Sequence, residues 1–285
     1  MPDSTATIAA SYTTRWDTIG ECIYCQEPSN VLTEEHVIPS GLGGWRTLPR
    51  ASCERCQNIT REFETVALRH VLGPGRYWLG IPPKKGKRRP DCWPAYKSTK
   101  TGPHQKIMIP MADLPFFLCM PTYKTNPSIR PCITGKHIPT EADGVIIITE
   151  KQDSLSAKLA TYQADYLETK VDHISFAKML AKIALGYCVI VFGRDGFTPM
   201  TTPLILGKTN GYRDIVSSSQ MLRTPEPRIQ IEQGYHHQLT HKITTNNDLI
   251  CVRIELFTNL EAPAYYVMAG TVGQSMLRVA ATPGS

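Results

Sequence analysis

Two cysteine pairs and a Glu-His dipeptide decide how the start of this chain folds. In order, the stretch reads Cys22-Ile23-Tyr24-Cys25, Glu35-His36-Val37-Ile38-Pro39, Gly41-Leu42-Gly43-Gly44 and Cys53-Glu54-Arg55-Cys56. Each cysteine pair has C-x2-C spacing, and four thiolates in this arrangement can close a tetrahedral zinc site. The sequence therefore predicts a metal-bound segment that presents one carboxylate and one imidazole.

The predicted zinc is structural, because four cysteine ligands leave no open coordination position. Those ligands are Cys22, Cys25, Cys53 and Cys56. Metal binding supplies much of the folding free energy of small units of this kind. A redox-active pair of C-x2-C motifs is the alternative, but the βαβ context of thioredoxin-like proteins is missing here. Elemental analysis for zinc distinguishes the two interpretations.

Glu35 and His36 are expected on a strand, where adjacent side chains point to opposite faces. The two residues can serve one site only near a bend or a bulge. Pro39 and the glycines that follow it supply a bend close by. Taken alone, a histidine in this context is more often structural than catalytic.

The run from Cys22 to Cys56 resembles the HNH, or ββα-metal, endonuclease family. The shared parts are a cysteine pair, an acidic residue plus His, Ile38-Pro39, Gly43-Gly44, Leu48-Pro49, and a second pair opening a helix after Ala51-Ser52. The resemblance covers only this N-terminal part of the chain. It implies an α+β protein that begins with a zinc-stapled ββα-metal finger.

By this resemblance, His36 is a general base that takes a proton from water, so that hydroxide attacks a phosphodiester bond of DNA. Imidazole groups titrate near neutral pH, which suits such a base. Glu35 is implied as a ligand of a catalytic Mg²⁺ or Mn²⁺, hard cations that prefer oxygen ligands. The resemblance thus predicts an HNH-type endonuclease, a phosphodiester hydrolase.

The second protein ligand of the catalytic ion departs from the family pattern. The family places His or Asn directly after the second cysteine pair, where this chain has Gln57 and then Asn58. Both amides are candidate ligands, although they lie about 100° apart around a helix. Glu64 shares a helix face with Gln57, roughly 10 Å along the axis. These departures leave open an alternative function, a catalytically inactive zinc-stapled nucleic-acid-binding protein.

Positive charge is concentrated in one short run of this 285-residue chain, whose formal net charge is +6. The run contains Lys84, Lys85, Lys87, Arg88 and Arg89. Clustered cations favour a phosphate-rich partner, although a solvated loop has the same composition. We therefore expect a nucleic-acid partner, double-stranded DNA, and the residues do not indicate an oligomeric state.

Cysteine usage and the N-terminal residues predict a cytoplasmic protein. The nine cysteines are an odd number, and five of them are scattered outside the two pairs, unlike a secreted disulfide framework. Residues 1–14 lack the basic start and apolar block of a signal peptide. The longest apolar stretch, Ile183 to Phe192, is shorter than a membrane span, so no membrane association is expected.

Four segments are predicted along the chain. Residues 1–15 form a flexible tail, 16–75 the nuclease domain, 76–110 a basic linker rich in proline and glycine, and 111–285 an α+β domain of unknown role. Within the last segment, Asp172 and Gly193 predict the ends of a long helix. Residues 145–148 predict a short buried strand, and 250–256 with 264–269 predict an antiparallel hairpin.

Two further expectations concern charged and polar side chains. On the long helix, Lys178 and Lys182 are expected to share a more polar face. His237 and His241 have the i, i+4 spacing of a metal pair on a helix, but a structural role at a surface or strand end is the preferred interpretation.

Overall fold

The computed structural model of the chain describes residues 20–44, 46–83, 88–99, 101–114, 116–135, 137–149, 152–221, 236–244, 248–260 and 262–273. It shows an α+β protein with mixed helices and antiparallel sheets. The predicted tail, 1–15, lies outside these residues, as do Lys84, Lys85 and Lys87 of the basic cluster.

Thirteen strands and five α-helices form the described part of the chain. The strands are β1 (Leu32–His36), β2 (Thr47–Cys53), β3 (Cys92–Lys97), β4 (Gln105–Pro110), β5 (Phe117–Thr122), β6 (His137–Pro139), β7 (Gly144–Thr149), β8 (Tyr166–Leu167), β9 (Phe197–Pro199), β10 (Val216–Met221), β11 (His237–Ile243), β12 (Leu249–Leu256) and β13 (Ala264–Val272). The helices are α1 (Glu54–Val66), α2 (Gly73–Trp78), α3 (Gln152–Thr161), α4 (His173–Phe192) and α5 (Thr202–Ile205).

The N-terminal part is an antiparallel hairpin followed directly by a helix. Strands β1 and β2 pair with each other, and α1 begins at the residue after β2 ends. A π-helical turn, Ala67–Val71, extends α1. Phe63 and Ala67 are buried on the core side of this helix, while Arg55, Arg61 and Arg69 are exposed, as in an amphipathic helix.

Helix α4 has the ends that the sequence predicts. The Asp172 side chain accepts a hydrogen bond of 2.8 Å from the Ser175 backbone N–H, which caps the first turn. At the other end, Gly193 has φ 71°, and its N–H donates to Val189 O at 3.1 Å. A left-handed residue at this position favours glycine, which explains why the helix stops there.

The expectation of a polar face on α4 is wrong for Lys182. Lys182 is only 1% exposed, and the helix is buried almost all round. One side packs against α1 and the other against a six-stranded sheet ordered β11-β12-β13-β10-β6, with β9 paired to β13. The predicted β12–β13 hairpin forms the middle of this sheet.

Two predictions for the middle of the chain need correction. The predicted linker contains strands β3 and β4, which form a three-stranded sheet with β8. Its prolines suggest irregular chain, yet Ala95 and Ile109 are fully buried and anchor the hairpin. Strand β7 forms as predicted, but Val145 is 41% and Ile147 53% exposed, because β5 is its one partner among the described strands and one face meets solvent.

The largest apolar cluster joins the N-terminal hairpin to the rest of the protein. It includes Val37 and Leu48 from the hairpin, Phe63 from α1, Ile183 from α4 and Val252 from β12. Val37 lies against Gly186, where an added Cβ would come within 3.4 Å of it. Helix α4 therefore serves as a shared core helix for both predicted domains.

Among the described residues, one helix is long and apolar enough to cross a membrane by length and composition. This helix is α4, with a mean hydropathy of 1.8 over its apolar window. Of that window, 78% is buried inside the protein, and core helices pass the same test.

Replacing the α4 N-cap should destabilise the protein measurably. Asp172→Ala removes the hydrogen bond to Ser175, so we expect the free energy of unfolding to fall by about 1 kcal/mol. The melting temperature should fall by roughly 2 °C or more. Asp195→Ala, at an exposed aspartate just beyond the helix, is the control and should leave the melting temperature nearly unchanged. Equal shifts for the two variants would show that the cap contributes nothing.

Candidate functional site

The four paired cysteines converge on one point. Their Sγ atoms all lie within 4.8 Å of one another, and Cys25 Sγ is 3.8 Å from Cys53 Sγ. Tetrahedral Zn–S bonds of about 2.3 Å place sulfurs roughly 3.8 Å apart, so the quartet has the dimensions of a zinc site. All four thiols are free, and the predicted clustering of these cysteines is confirmed.

The local electrostatics of the quartet suit a cation. Burial raises the pKa of the Cys22 thiol, although the N–H groups of Cys25 and Cys53 act in the opposite direction. Burial also raises the pKa of Cys56, and the neighbouring Cys22 adds to that effect. Crowded, buried thiolates are unfavourable without a compensating positive charge. A bound zinc ion would supply that charge.

The strand that carries Glu35 and His36 contacts α1 through Thr33 and α4 through Glu35. The pairing of β1 with β2 has an irregularity, because Thr33 faces Ser52 while Glu35 faces Leu48. The extra residues lie on β2, where Arg50 has a positive φ of 48°. A bulge therefore occurs opposite Glu35, on β2 rather than on the strand that carries Glu35 and His36.

Glu35 faces the interior, where it meets a buried lysine from α4. Glu35 is 7% exposed, and its Oε1 lies 2.8 Å from Lys182 Nζ. Lys182 Nζ also lies 3.0 Å from Glu64 Oε1 and donates a hydrogen bond to the backbone carbonyl of His36. Glu64 Oε1 makes no hydrogen bond among the described residues, so its contact with the ammonium is an ion pair without hydrogen-bond alignment. We call Lys182, Glu35 and Glu64 the ion triad.

The ion triad keeps its lysine charged. Burial opposes the charged form of Lys182, but the carboxylates of Glu64 and Glu35 outweigh that effect and raise the pKa of the ammonium. The hydroxyl of Tyr24 is fully buried nearby, and burial followed by the charges of Glu35 and Glu64 raises its pKa. The surroundings of Glu35 are therefore dry and strongly ionic.

The His36 ring has an unused buried nitrogen. Its Nδ1 is buried and has no hydrogen-bond partner within the part of the chain that the structure describes. Because buried polar atoms are nearly always paired, an unpaired ring nitrogen calls for an explanation. The imidazole is partly exposed, so a molecule from solvent can approach it.

The amides after the second cysteine pair have other roles. Gln57 Nε2 donates to Thr33 Oγ1 at 3.1 Å, and Arg61 donates to Gln57 Oε1 at 3.5 Å, so this side chain links α1 to β1. Asn58 is exposed. On α1, Glu64 is the residue that contacts the same Lys182 ammonium as Glu35. The motif spacing had favoured Gln57 or Asn58 as the partner of Glu35.

The loop after β1 is fixed in place by glycines and by a histidine from the sheet. Gly43 has φ 82°, and a Cβ on Gly44 would lie 2.0 Å from Ile38 O, so neither position suits a larger residue. His237 Nε2 donates to Leu42 O at 2.8 Å, while its Nδ1 accepts from the Phe257 N–H at 3.3 Å.

The two histidines of the second cluster are structural, as preferred from the sequence. They lie on strand β11 rather than on a helix. His237 holds the glycine loop, and His241 Nδ1 lies 3.0 Å from the hydroxyl of Tyr187 on α4. Burial lowers the pKa of both imidazoles, which favours neutral rings that bond to protein groups.

The two arginines of the basic cluster that the structure describes differ from each other. Arg88 is exposed. Arg89 donates to Tyr77 O at 3.2 Å and to Ile81 O, and its guanidinium lies 5.7 Å from the Tyr77 ring centroid. Arg89 therefore holds together the chain after α2, and Arg88 is the arginine left facing solvent.

Comparisons with known proteins found no family model, no curated protein and no solved structure that matches the chain. The functional proposal is therefore based on the positions and contacts of the site residues.

Removing one cysteine of the quartet should abolish metal binding. We expect one zinc per wild-type chain by elemental analysis, and no stoichiometric zinc in Cys56→Ser, because three thiolates and a hydroxyl hold zinc far less tightly. The thermal stability of the variant should fall sharply, since metal binding contributes to folding. Cys92→Ser lies outside the quartet and should keep its zinc. Full zinc content in Cys56→Ser would contradict the assignment of the site.

Proposed function

We propose that the chain is a zinc-stapled ββα-metal, or HNH-type, endonuclease that hydrolyses phosphodiester bonds of DNA. The proposal takes His36 as the general base and Glu35 as a ligand of a catalytic divalent ion. The single observation that carries it is the partly exposed imidazole of His36, on the strand next to a pair of carboxylates.

The order of elements supports the proposal. An antiparallel hairpin leads directly into a helix, and the cysteine quartet joins the start of the hairpin region to the start of that helix. Zinc at the quartet would tie the segment before β1 to the junction of β2 and α1 without taking part in chemistry, because all four ligands are cysteines. The residues that perform the reaction would then lie on the rigid strand.

His36 would remove a proton from an attacking water molecule. Its imidazole is partly exposed, so the solvent-facing part of the ring is available to groups that arrive with the substrate, whereas Nδ1 is buried. Positioned bases of this type contribute about 10²–10⁴-fold to rates. The Lys182 bond to the His36 carbonyl holds the backbone at this residue.

The oxygen ligands beside His36 suit Mg²⁺ or Mn²⁺. Glu35 and Glu64 both reach within 3.0 Å of one cation, the Lys182 ammonium, so we propose Glu64 in place of Gln57 or Asn58 as the second ligand. Carboxylate oxygens are preferred by hard divalent ions. When bound, such an ion stabilises the negative charge that builds up on the phosphate and the leaving oxygen.

Exposed arginines provide contacts for a phosphate backbone. Arg55, Arg61 and Arg69 on α1 and its π-helical turn reach solvent, as does Arg88. Together with Lys84, Lys85 and Lys87, these side chains would contribute sequence-independent affinity for double-stranded DNA, which weakens as salt increases.

One observation favours the alternative, a nucleic-acid-binding protein without catalysis. Lys182 already neutralises part of the charge on Glu35 and Glu64, so the two carboxylates have a partner without any metal. In that case the chain would bind DNA through its basic residues and leave it intact.

Cleavage of supercoiled plasmid DNA separates the two functions. We expect wild-type protein to nick the plasmid with Mg²⁺ or Mn²⁺ and not with EDTA. His36→Ala should lower the rate about 100-fold or more, because the general base is lost. Gel electrophoresis of nicked and linear product measures both rates.

His70→Ala is the matched control, since His70 is exposed at the end of the helical segment after α1. It should cleave like the wild type. If neither the wild type nor any variant cleaves the plasmid, yet all of them bind DNA in a filter-binding assay, the enzyme proposal is wrong. The alternative, a nucleic-acid-binding protein without catalysis, then stands.

A further inference from the structure

The ammonium of Lys182 occupies a cage of oxygen atoms that has the chemistry of a divalent-cation site. Its Nζ contacts Glu35 Oε1 at 2.8 Å and Glu64 Oε1 at 3.0 Å, and it donates a hydrogen bond to His36 O. Carboxylate and carbonyl oxygens are the ligands that Mg²⁺ and Mn²⁺ prefer. An ammonium and a metal ion cannot share one position, so one must exclude the other.

The charge balance of the ion triad leaves room for a more highly charged cation. Two carboxylates face one ammonium, so the triad carries a net charge of −1. The side chains are only 1%, 8% and 21% exposed for Lys182, Glu35 and Glu64. Buried charge without full compensation is unfavourable. A divalent ion in place of the ammonium would neutralise both carboxylates.

Glu64 is the carboxylate of the triad that lies nearer to solvent. Its Oε1 is buried without a hydrogen bond among the described residues, although it lies close to the ammonium. It is also the most exposed of the three side chains. An arriving cation would therefore reach Glu64 before Glu35.

We propose that Lys182 is a resident cation that competes with a divalent metal ion for Glu35 and Glu64. Metal loading then requires the ammonium to leave the two carboxylates. The inference rests on the proposed function in taking Glu35 as a metal ligand. Because Lys182 belongs to α4, the C-terminal part of the chain controls access of metal to the strand that carries His36.

Removing the ammonium should strengthen metal binding. Lys182→Met keeps both carboxylates and removes the competitor, so we expect the zinc-loaded full chain to bind one Mn²⁺ at least about tenfold more tightly than the wild type. Electron paramagnetic resonance of free Mn²⁺, recorded without nucleic acid, measures the affinity. Lys178→Met, one turn earlier on α4, is the matched control and should bind Mn²⁺ like the wild type.

A second variant tests whether the gain comes from this cage. Glu64→Gln combined with Lys182→Met removes the competitor together with one ligand, and should lose the increase. Mn²⁺ affinity in Lys182→Met equal to that of Lys178→Met would overturn the proposal. An increase in Mn²⁺ affinity that persists in the double variant with Glu64→Gln would also overturn it.

An experiment on the unaltered protein covers the case in which Lys182→Met does not fold. Competition predicts that Mn²⁺ releases the ammonium, so acetic anhydride should label Lys182 faster in Mn²⁺ than in NaCl of equal ionic strength. Mass spectrometry compares Lys182 with Lys178 in the same sample. Labelling of Lys182 that does not respond to Mn²⁺ would refute the competition.

These measurements do not depend on cleavage. If Mn²⁺ binding responds to Lys182 but His36→Ala and wild type cleave DNA equally, the proposed catalytic role of His36 fails and the metal competition stands. If cleavage depends on His36 while Mn²⁺ affinity does not change in Lys182→Met, the metal competition fails and the catalytic role of His36 stands.

Discussion

The ion triad of Lys182, Glu35 and Glu64 connects the three elements on which the candidate site depends. Lys182 comes from α4, Glu35 from β1 and Glu64 from α1. Leaving one partner of a buried ion pair without its counter-charge typically costs about 3–5 kcal/mol. That is a large part of the roughly 5–15 kcal/mol by which domains are stable, so this contact governs how the hairpin sits on the rest of the protein.

Two constraints hold β1 along α1, one at each end. Near the cysteine quartet, Gln57 bonds Thr33, and seven residues further along the helix Glu64 shares a cation with Glu35. Seven residues of helix span roughly 10 Å, whereas Thr33 and Glu35 are two strand residues, roughly 7 Å, apart, and the Lys182 ammonium that contacts both carboxylates makes up the difference. The zinc-type quartet and the ion triad thus fix both the position and the orientation of the strand that carries His36.

The sequence revealed the parts of this arrangement that depend on local spacing. The cysteine pairs, the cap at Asp172, the stop at Gly193 and the β12–β13 hairpin all follow from residues close together in the chain. The burial of Lys182 could not be predicted in this way, because a lysine on a periodic helix usually lies on the solvent side. Only packing against two carboxylates more than a hundred residues earlier explains its burial. Strands β3 and β4 were missed because the prolines and glycines around them are typical of irregular chain, and each strand buries only one residue fully.

The proposed chemistry follows from what these contacts leave free. Gln57, Arg89 and His237 are engaged by protein groups, whereas the His36 ring keeps a buried nitrogen unpaired. Helix α4 therefore takes part in the candidate site, since Lys182 contacts Glu35 and Glu64, the two carboxylates proposed to bind a metal ion.

Anomalous diffraction from crystals of the zinc-loaded chain grown with Mn²⁺ would locate both metal ions. We expect one zinc peak equidistant from the sulfurs of Cys22, Cys25, Cys53 and Cys56. We also expect one manganese peak between Glu35 and Glu64, with Lys182 Nζ displaced from its present position. A zinc peak elsewhere, or Lys182 still bound to both carboxylates with manganese absent from them, would contradict these expectations.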